Sequence, residues 1–184
     1  NALGGTMTPA WVAQDLGLFT KHGLQHSLNY LAATTAIQAI VGGTEEIGLV
    51  GNQGIDVALE GADTVYIANT ASRFIFRLYG EASIKTVADL KGKTLAVTQP
   101  AASTDYASRM LLRRFGLVPD KDVKILATGI GEADKRIMLM LQGRMDGTIG
   151  SPESILAAEA QAKVKLEILA DLEDMKIYNT VGDL

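Results

Sequence analysis

Apolar positions between residues 10 and 19 recur at the spacing of one helix face, and Thr8-Pro9 stands directly before them. Threonine suits a helix cap and proline the first helical position, so this pattern predicts a helix that ends by Gly23. Residues 25–31 read as a strand. Thr34 or Thr35 then caps a helix running through Val41, residues 46–50 form a short strand, and a helix covers about 55–60. Residues 64–69 and 74–79 are β-rich. Past a turn of helix at 87–93 the alternation becomes regular. Strands are predicted at 94–98, 122–126, 146–149 and 165–169, with helices at 103–115, 132–142 and 151–161, and a last strand at 176–181. Strands alternating with helices predict an α/β fold with largely parallel sheets.

Two stretches share one pattern. Residues 41–58 and 141–158 align Gly43 with Gly143, Glu46 with Asp146, Leu49 with Ile149, Ile55 with Ile155 and Ala58 with Ala158, and upstream Ile37 aligns with Ile137. Each runs from an amphipathic helix through a glycine, a short acidic-then-apolar strand and a small-residue turn into another helix. Two such units predict two similar lobes holding a ligand between them.

Composition narrows the chemistry. The 184 residues are 47% apolar with a net charge of −4, which fits a globular protein and offers no basic stripe for nucleic acid. Lys135–Arg136 and Arg113–Arg114 are the paired cations, and both read as solvated helix faces. Cysteine is absent, which removes disulfides, thiolate catalysis and cysteine-bound metals. His22 and His26 have no acidic partner at ligand spacing, so no metal is expected. No apolar run approaches the roughly 20 residues of a membrane span. No signal segment is present, and Asn1 reads as following a removed one or a trimmed start.

Nucleotide motifs fail on context. Lys91-Gly92-Lys93-Thr94 precedes a strand where a phosphate loop follows one, and Gly129-Ile130-Gly131 lacks the third glycine, with Asp134 in its place. No cofactor is implied. No Ser/His/Asp set and no paired carboxylates suggest catalysis. What remains is a group of helix starts rich in glycine and hydroxyl residues: Thr6, Met7 and Thr8; Gly51, Asn52 and Gln53; Ser103 and Thr104; and Ser151 with Glu153. Each alone is a cap. Converging, their free amides and positive dipole ends would make a site for an anion or polar solute. In parallel sheets ligands bind beyond the carboxyl ends of strands, which adds the turn holding Gly129. Trp11, the only tryptophan, packs in the core or lines the site.

The chain resembles the ABC-transporter substrate-binding family for nitrate, sulfonates, taurine and bicarbonate, with related thiamine-precursor binders. Residues 11–19, His22-Gly23-Leu24, 36–40 with Gly43, 58–61, 87–93, Gly116-Leu117, 119–123 and 136–143 carry the resemblance, in order along nearly the whole chain. It implies a two-lobed periplasmic-binding fold of type II-like form. Residues 1–80 would form lobe 1, including a first crossover at 72–81; residues 81–174 would form lobe 2; and 175–184 would cross back. Lobe 1 looks incomplete, without its opening strand and closing helices, so self-association through it is expected.

The resemblance also implies a non-enzymatic role: capture of a small polar or anionic solute, closure of the lobes on it, and delivery to a membrane permease. The setting would be periplasmic, or extracellular and membrane-anchored, in a bacterium. Two alternatives share the fold. A pyrimidine-synthase-like enzyme is weakened because its cysteine-rich motif is missing, and a regulator's sensing domain because no helix-turn-helix is visible. With no arginine in the expected turns, a sulfonate would rely on amides and hydroxyls, and a neutral or aromatic ligand near Trp11 stays open.

Overall fold

In the computed structural model, which describes residues 7–51, 53–70 and 73–175, the chain separates into two units, Asn1–Ala71 and Ser72–Leu184. The first holds helices α1 (Thr8–Asp15), α2 (Leu18–Lys21), α3 (Ala33–Val41) and α4 (Gln53–Leu59). The single helix expected through Phe19 is split, because Gly17 adopts a left-handed φ of 63° that no α-helix can continue through. Thr8 is not the cap. Met7 holds that position, with Thr8 and Pro9 inside the first turn. Ala32 likewise caps α3, so Thr34 and Thr35 lie inside it.

The strands expected at 25–31, 46–50 and 64–69 do not form among the described residues. A strand exists only through a hydrogen-bonded neighbour, and none of these segments finds one there. Several of their apolar side chains remain in water: Ile47 is 73% exposed, Val65 80% and Ile67 76%. Of the buried apolar residues described, only Ala36 and Ile37 belong to this unit. The segment after α4 is nonetheless anchored, with the Tyr66 hydroxyl donating to the Gly51 carbonyl and the Thr64 hydroxyl to that of Gly54.

The second unit contains β1 (Arg77–Gly80), β2 (Thr94–Val97), β3 (Lys124–Ala127), β4 (Gly147–Gly150) and β5 (Ile168–Asp171), in the spatial order β3-β2-β4-β1-β5. Helices α5 (Ser103–Arg114), α6 (Ala133–Leu141) and α7 (Pro152–Ala162) connect them, with a one-turn 3-10 helix at Val87–Leu90. β2 runs parallel to β3 and β4, while β1 runs antiparallel to β4 and β5. β1, expected as the crossover strand of lobe 1, pairs inside the second unit's sheet. The return strand expected at 176–181 lies outside the described residues.

Alternating side chains give the sheet two apolar faces. Leu78, Leu95 and Ile149 face Ala107, Leu111 and Leu112 of α5, whereas Tyr79 and Ala96 face Ile137 and Met140 of α6 and Ile155 and Ala158 of α7. Leu95, Leu111 and Leu112 are fully buried, and each such side chain contributes about 1.5–3 kcal/mol. Gly150 lets α6 approach the central strand. A Cβ on Gly150 would stand 2.6 Å from that of Ala133.

Candidate functional site

Because β3, β2 and β4 are parallel neighbours, the turns leaving their carboxyl ends lie along one edge of the sheet. The three turns deliver α5, α6 and α7, so three helix N-termini share that edge. Ser103, Thr104, Gly129, Ser151 and Glu153 all fall there.

The β2–α5 turn is tied down by its own side chains. Ala102 occupies the cap position, and Ser103 begins the helix. The buried Thr104 hydroxyl oxygen accepts from the Thr98 amide at 3.0 Å and pairs with the Thr98 hydroxyl at 2.8 Å. Thr104 is therefore engaged within the turn. The buried Asp105 carboxylate accepts from the Ala101 amide at 2.9 Å and from Arg109 Nε at 2.7 Å. This holds Ala101 at a φ of 59°, a left-handed conformation that costs a non-glycine residue about 1–2 kcal/mol. Arg109 also reaches Asp120 at 2.6 Å. Ser103 differs from Thr104: it is half-buried, and its hydroxyl has no partner among the described residues.

In the β3–α6 turn the Thr128 hydroxyl donates to the Val97 carbonyl and accepts the Ile130 amide. Gly129 and Gly131 are exposed, and a Cβ at either would meet nothing within 4 Å. In the β4–α7 turn Ser151 caps α7, and its hydroxyl lies 3.1 Å from that of Ser154. Glu153 is exposed in the first turn of α7.

One residue of this edge went unrecognised in the sequence. Arg136, read there as part of a solvated pair, is 1% exposed. Its Nη1 donates to the carbonyls of Ile130 and Gly131, its Nη2 to that of Ile149, and its Nε to the Thr148 hydroxyl. Thr148 in turn donates to the Ala96 carbonyl. Burial lowers the Arg136 pKa to about 10, against the opposing pull of Asp134 and Glu132, so the group stays charged at neutral pH. An arginine does serve the turns after all. The signal was available, because Ala133, Ile137 and Met140 place Arg136 on the buried stripe of α6.

The first unit brings its own predicted residues to the starts of two helices. Gln53 heads α4, is 7% exposed, and its Oε1 has no hydrogen-bond partner among the described residues. The Gly51 carbonyl is taken by Tyr66. Met7, Thr8 and the half-buried Trp11 lie at the start of α1. Thr6 and Asn52 lie outside the described residues.

A family model described as NMT1/THI5 like matches residues 5–183. No curated protein matches. Among solved structures, the periplasmic aliphatic sulphonate binding protein SsuA from Escherichia coli is similar at 26% identity, covering 94% of this chain and 56% of that one, with a TM-score of 0.71. The alkanesulfonate-binding protein SsuA from Xanthomonas axonopodis pv. citri, bound to MOPS, has the same fold at 18% identity, covering 91% of this chain and 58% of that one, with a TM-score of 0.70. The chain thus spans a little over half the length of either. The α/β periplasmic-binding fold follows from both.

Proposed function

We infer the function from one premise: the chain belongs to the NMT1/THI5-like family. On that premise we propose that it binds a small polar or anionic solute, such as a sulfonate or nitrate, and hands it to the membrane permease of an ABC importer. The carrying observation is the shared edge where α5, α6 and α7 all begin, with Ser103, Gly129 and Ser151 along it. Amide donors and helix dipoles at such an edge favour negative charge. The sulphonate-binding relative at 26% identity supports the same class of solute. Gln53, with its buried unpartnered oxygen, and Asn52 are our candidates in the first unit.

The proposed role is binding without turnover, outside the cytoplasm: periplasmic, or extracellular and membrane-anchored. We also propose that the exposed apolar surface of the first unit drives self-association. Calorimetry with ethanesulfonate, taurine and nitrate, followed by mass analysis of the recovered solute, tests the main reading. Saturable binding of at least one, with the solute returned unchanged, is expected. Failure of all three to bind would refute solute capture. Chemical conversion without added cofactor would move the protein to the enzyme class.

A further inference from the structure

We infer that Arg136 sets the charge preference of the sheet edge from beneath it, without touching the solute. The inference rests on the solute-binding reading above and names what makes that site favour an anion. Arg136 makes no ion pair among the described residues; its hydrogen bonds go to neutral oxygens, three of them backbone carbonyls. A buried charge is normally matched by an opposite charge, because isolation in a low dielectric is costly. The facing ionised groups are Glu132 and Asp134 on α6's first residues and cap. Glu132 is exposed and already paired with Lys135 at 2.9 Å. Exposed charges are screened by water and salt, whereas a buried one is screened far less. Asp134 is half-buried and pulls on Arg136 more than Glu132 does. The buried Asp105 beneath the β2–α5 turn is paired with Arg109, so Arg136 is the least screened charge beneath the β3–α6 turn.

Peptide geometry gives a second effect. In a trans peptide the C=O and the N–H point in opposite directions. Drawing the Ile130 and Gly131 carbonyls onto Arg136 turns the N–H groups of Gly131 and Glu132 away from the guanidinium; Glu132's own carboxylate takes up its N–H, which leaves that of Gly131 for a solute. Gly131 is exposed with open space around it, so a solute has access to that side of the turn. Charge and amide orientation act in the same sense. Both favour a negatively charged group.

A simpler role is a staple that joins the β3–α6 turn to β4. Two substitutions separate the roles. Arg136→Lys keeps the charge and loses the planar fork; Arg136→Met loses both. The readout is the amide NMR shifts of Gly129, Gly131 and Ser151 in the full chain, titrated with methanesulfonate and with its neutral analogue dimethyl sulfone.

We expect Arg136→Met to weaken methanesulfonate binding about tenfold, the scale of one charge acting across roughly 10 Å of protein. At about pH 6, where a buried ammonium is kept protonated, Arg136→Lys should lose less affinity than Arg136→Met. Equal losses in the Lys and Met variants, or equal proportional losses for the two probes, would identify a staple and overturn the inference. Native-like methanesulfonate binding by Arg136→Met would overturn it as well. If Arg136→Met does not fold, Gly131→Pro replaces it, deleting one outward N–H with Arg136 intact, against Gly131→Ala as control. Loss of anion binding in the proline variant alone supports the inference; equal binding by both overturns it. If methanesulfonate moves no amide of the native protein, solute binding itself fails, an outcome distinct from all of these.

Discussion

Gly43 and Gly143 close equivalent helices, α3 and α6, with left-handed φ angles of 72° and 73°. The two helices occupy residues 33–41 and 133–141, so their bounds correspond at an offset of one hundred. Their closing bonds match too: the Gly43 amide donates to Ile40 and that of Thr44 to Ala39, as Gly143 does to Met140 and Arg144 to Leu139. Ile37 and Ile137 are buried at the same point of each. The copies diverge beyond the turn, where 147–150 pairs as β4 and 47–50 pairs with nothing described. Ala158 is correspondingly buried and Ala58 exposed.

The left-handed turn makes Gly143→Ala a local test. No atom lies within 4 Å of an added Cβ, so the cost is conformational alone. It should be about 1–2 kcal/mol, the penalty of a left-handed non-glycine residue. Urea unfolding of the second unit reads it. An unchanged midpoint would mean that the turn relaxes to another conformation.

Acid stability follows from three aspartates held below their ordinary value of 3.8. The Arg109 side chain lowers Asp120, the Val118 amide lowers Asp122, and the Lys85 and Thr86 amides lower Asp89. A carboxylate whose folded pKa is depressed stabilises the fold above its unfolded pKa, and that contribution is lost as pH falls through the folded value. Stability should therefore decline as the pH drops below about 4, a value near the unfolded aspartate pKa. Asp120→Asn keeps a side chain that tolerates the left-handed φ of 64° while removing the charge. Its acid denaturation curve should be shallower over that range than the native one. A superimposable curve would show that the Arg109 contact carries no linkage.

The second unit's α/β order was legible because its helices and strands meet strong local rules and each strand has neighbours. Gly116, for instance, ends α5 with a φ of 76°, where the reading placed the stop. The first unit's strands were not legible, because β-rich composition at 64–69 describes a side-chain preference and not the presence of a ladder partner. At the candidate edge, turn positions could be read but the direction of side chains could not. Ser103 and Thr104 are adjacent in sequence, yet the Thr104 hydroxyl is spent on Thr98 and that of Ser103 has no partner among the described residues. Lys135 and Arg136 look alike as a charged pair, but adjacent helix positions face about 100° apart, and of the two only Lys135 is exposed.

That difference between neighbours separates binding from stability. Ser103→Ala should leave stability within about 0.5 kcal/mol, as surface changes do, and weaken solute binding by at least about 1 kcal/mol. Asn52→Ala should weaken binding by a similar amount, about one hydrogen bond. Thr104→Ala should instead destabilise the unit by about 1–3 kcal/mol, because the Thr98 amide loses its acceptor. Calorimetry and urea unfolding on the three variants read both quantities. Native affinity in Ser103→Ala and Asn52→Ala would remove those residues from the site.

Apolar exposure is concentrated in the first unit, where Ile47, Leu59, Val65 and Ile67 are each more than 70% exposed. Contiguous apolar surface marks interfaces or aggregation, and segments without ladder partners invite pairing with another chain. The 184-residue protein should therefore self-associate with rising concentration, while amide protection concentrates in the second unit around Leu95, Leu111 and Ile149. Charge at these exposed positions opposes their burial, so a Val65→Lys, Ile67→Lys double variant should sediment closer to the monomer. Neither residue belongs to the candidate edge, so solute binding should be unchanged. A native protein that stays monomeric at every concentration, with both units equally protected from exchange, would refute the association.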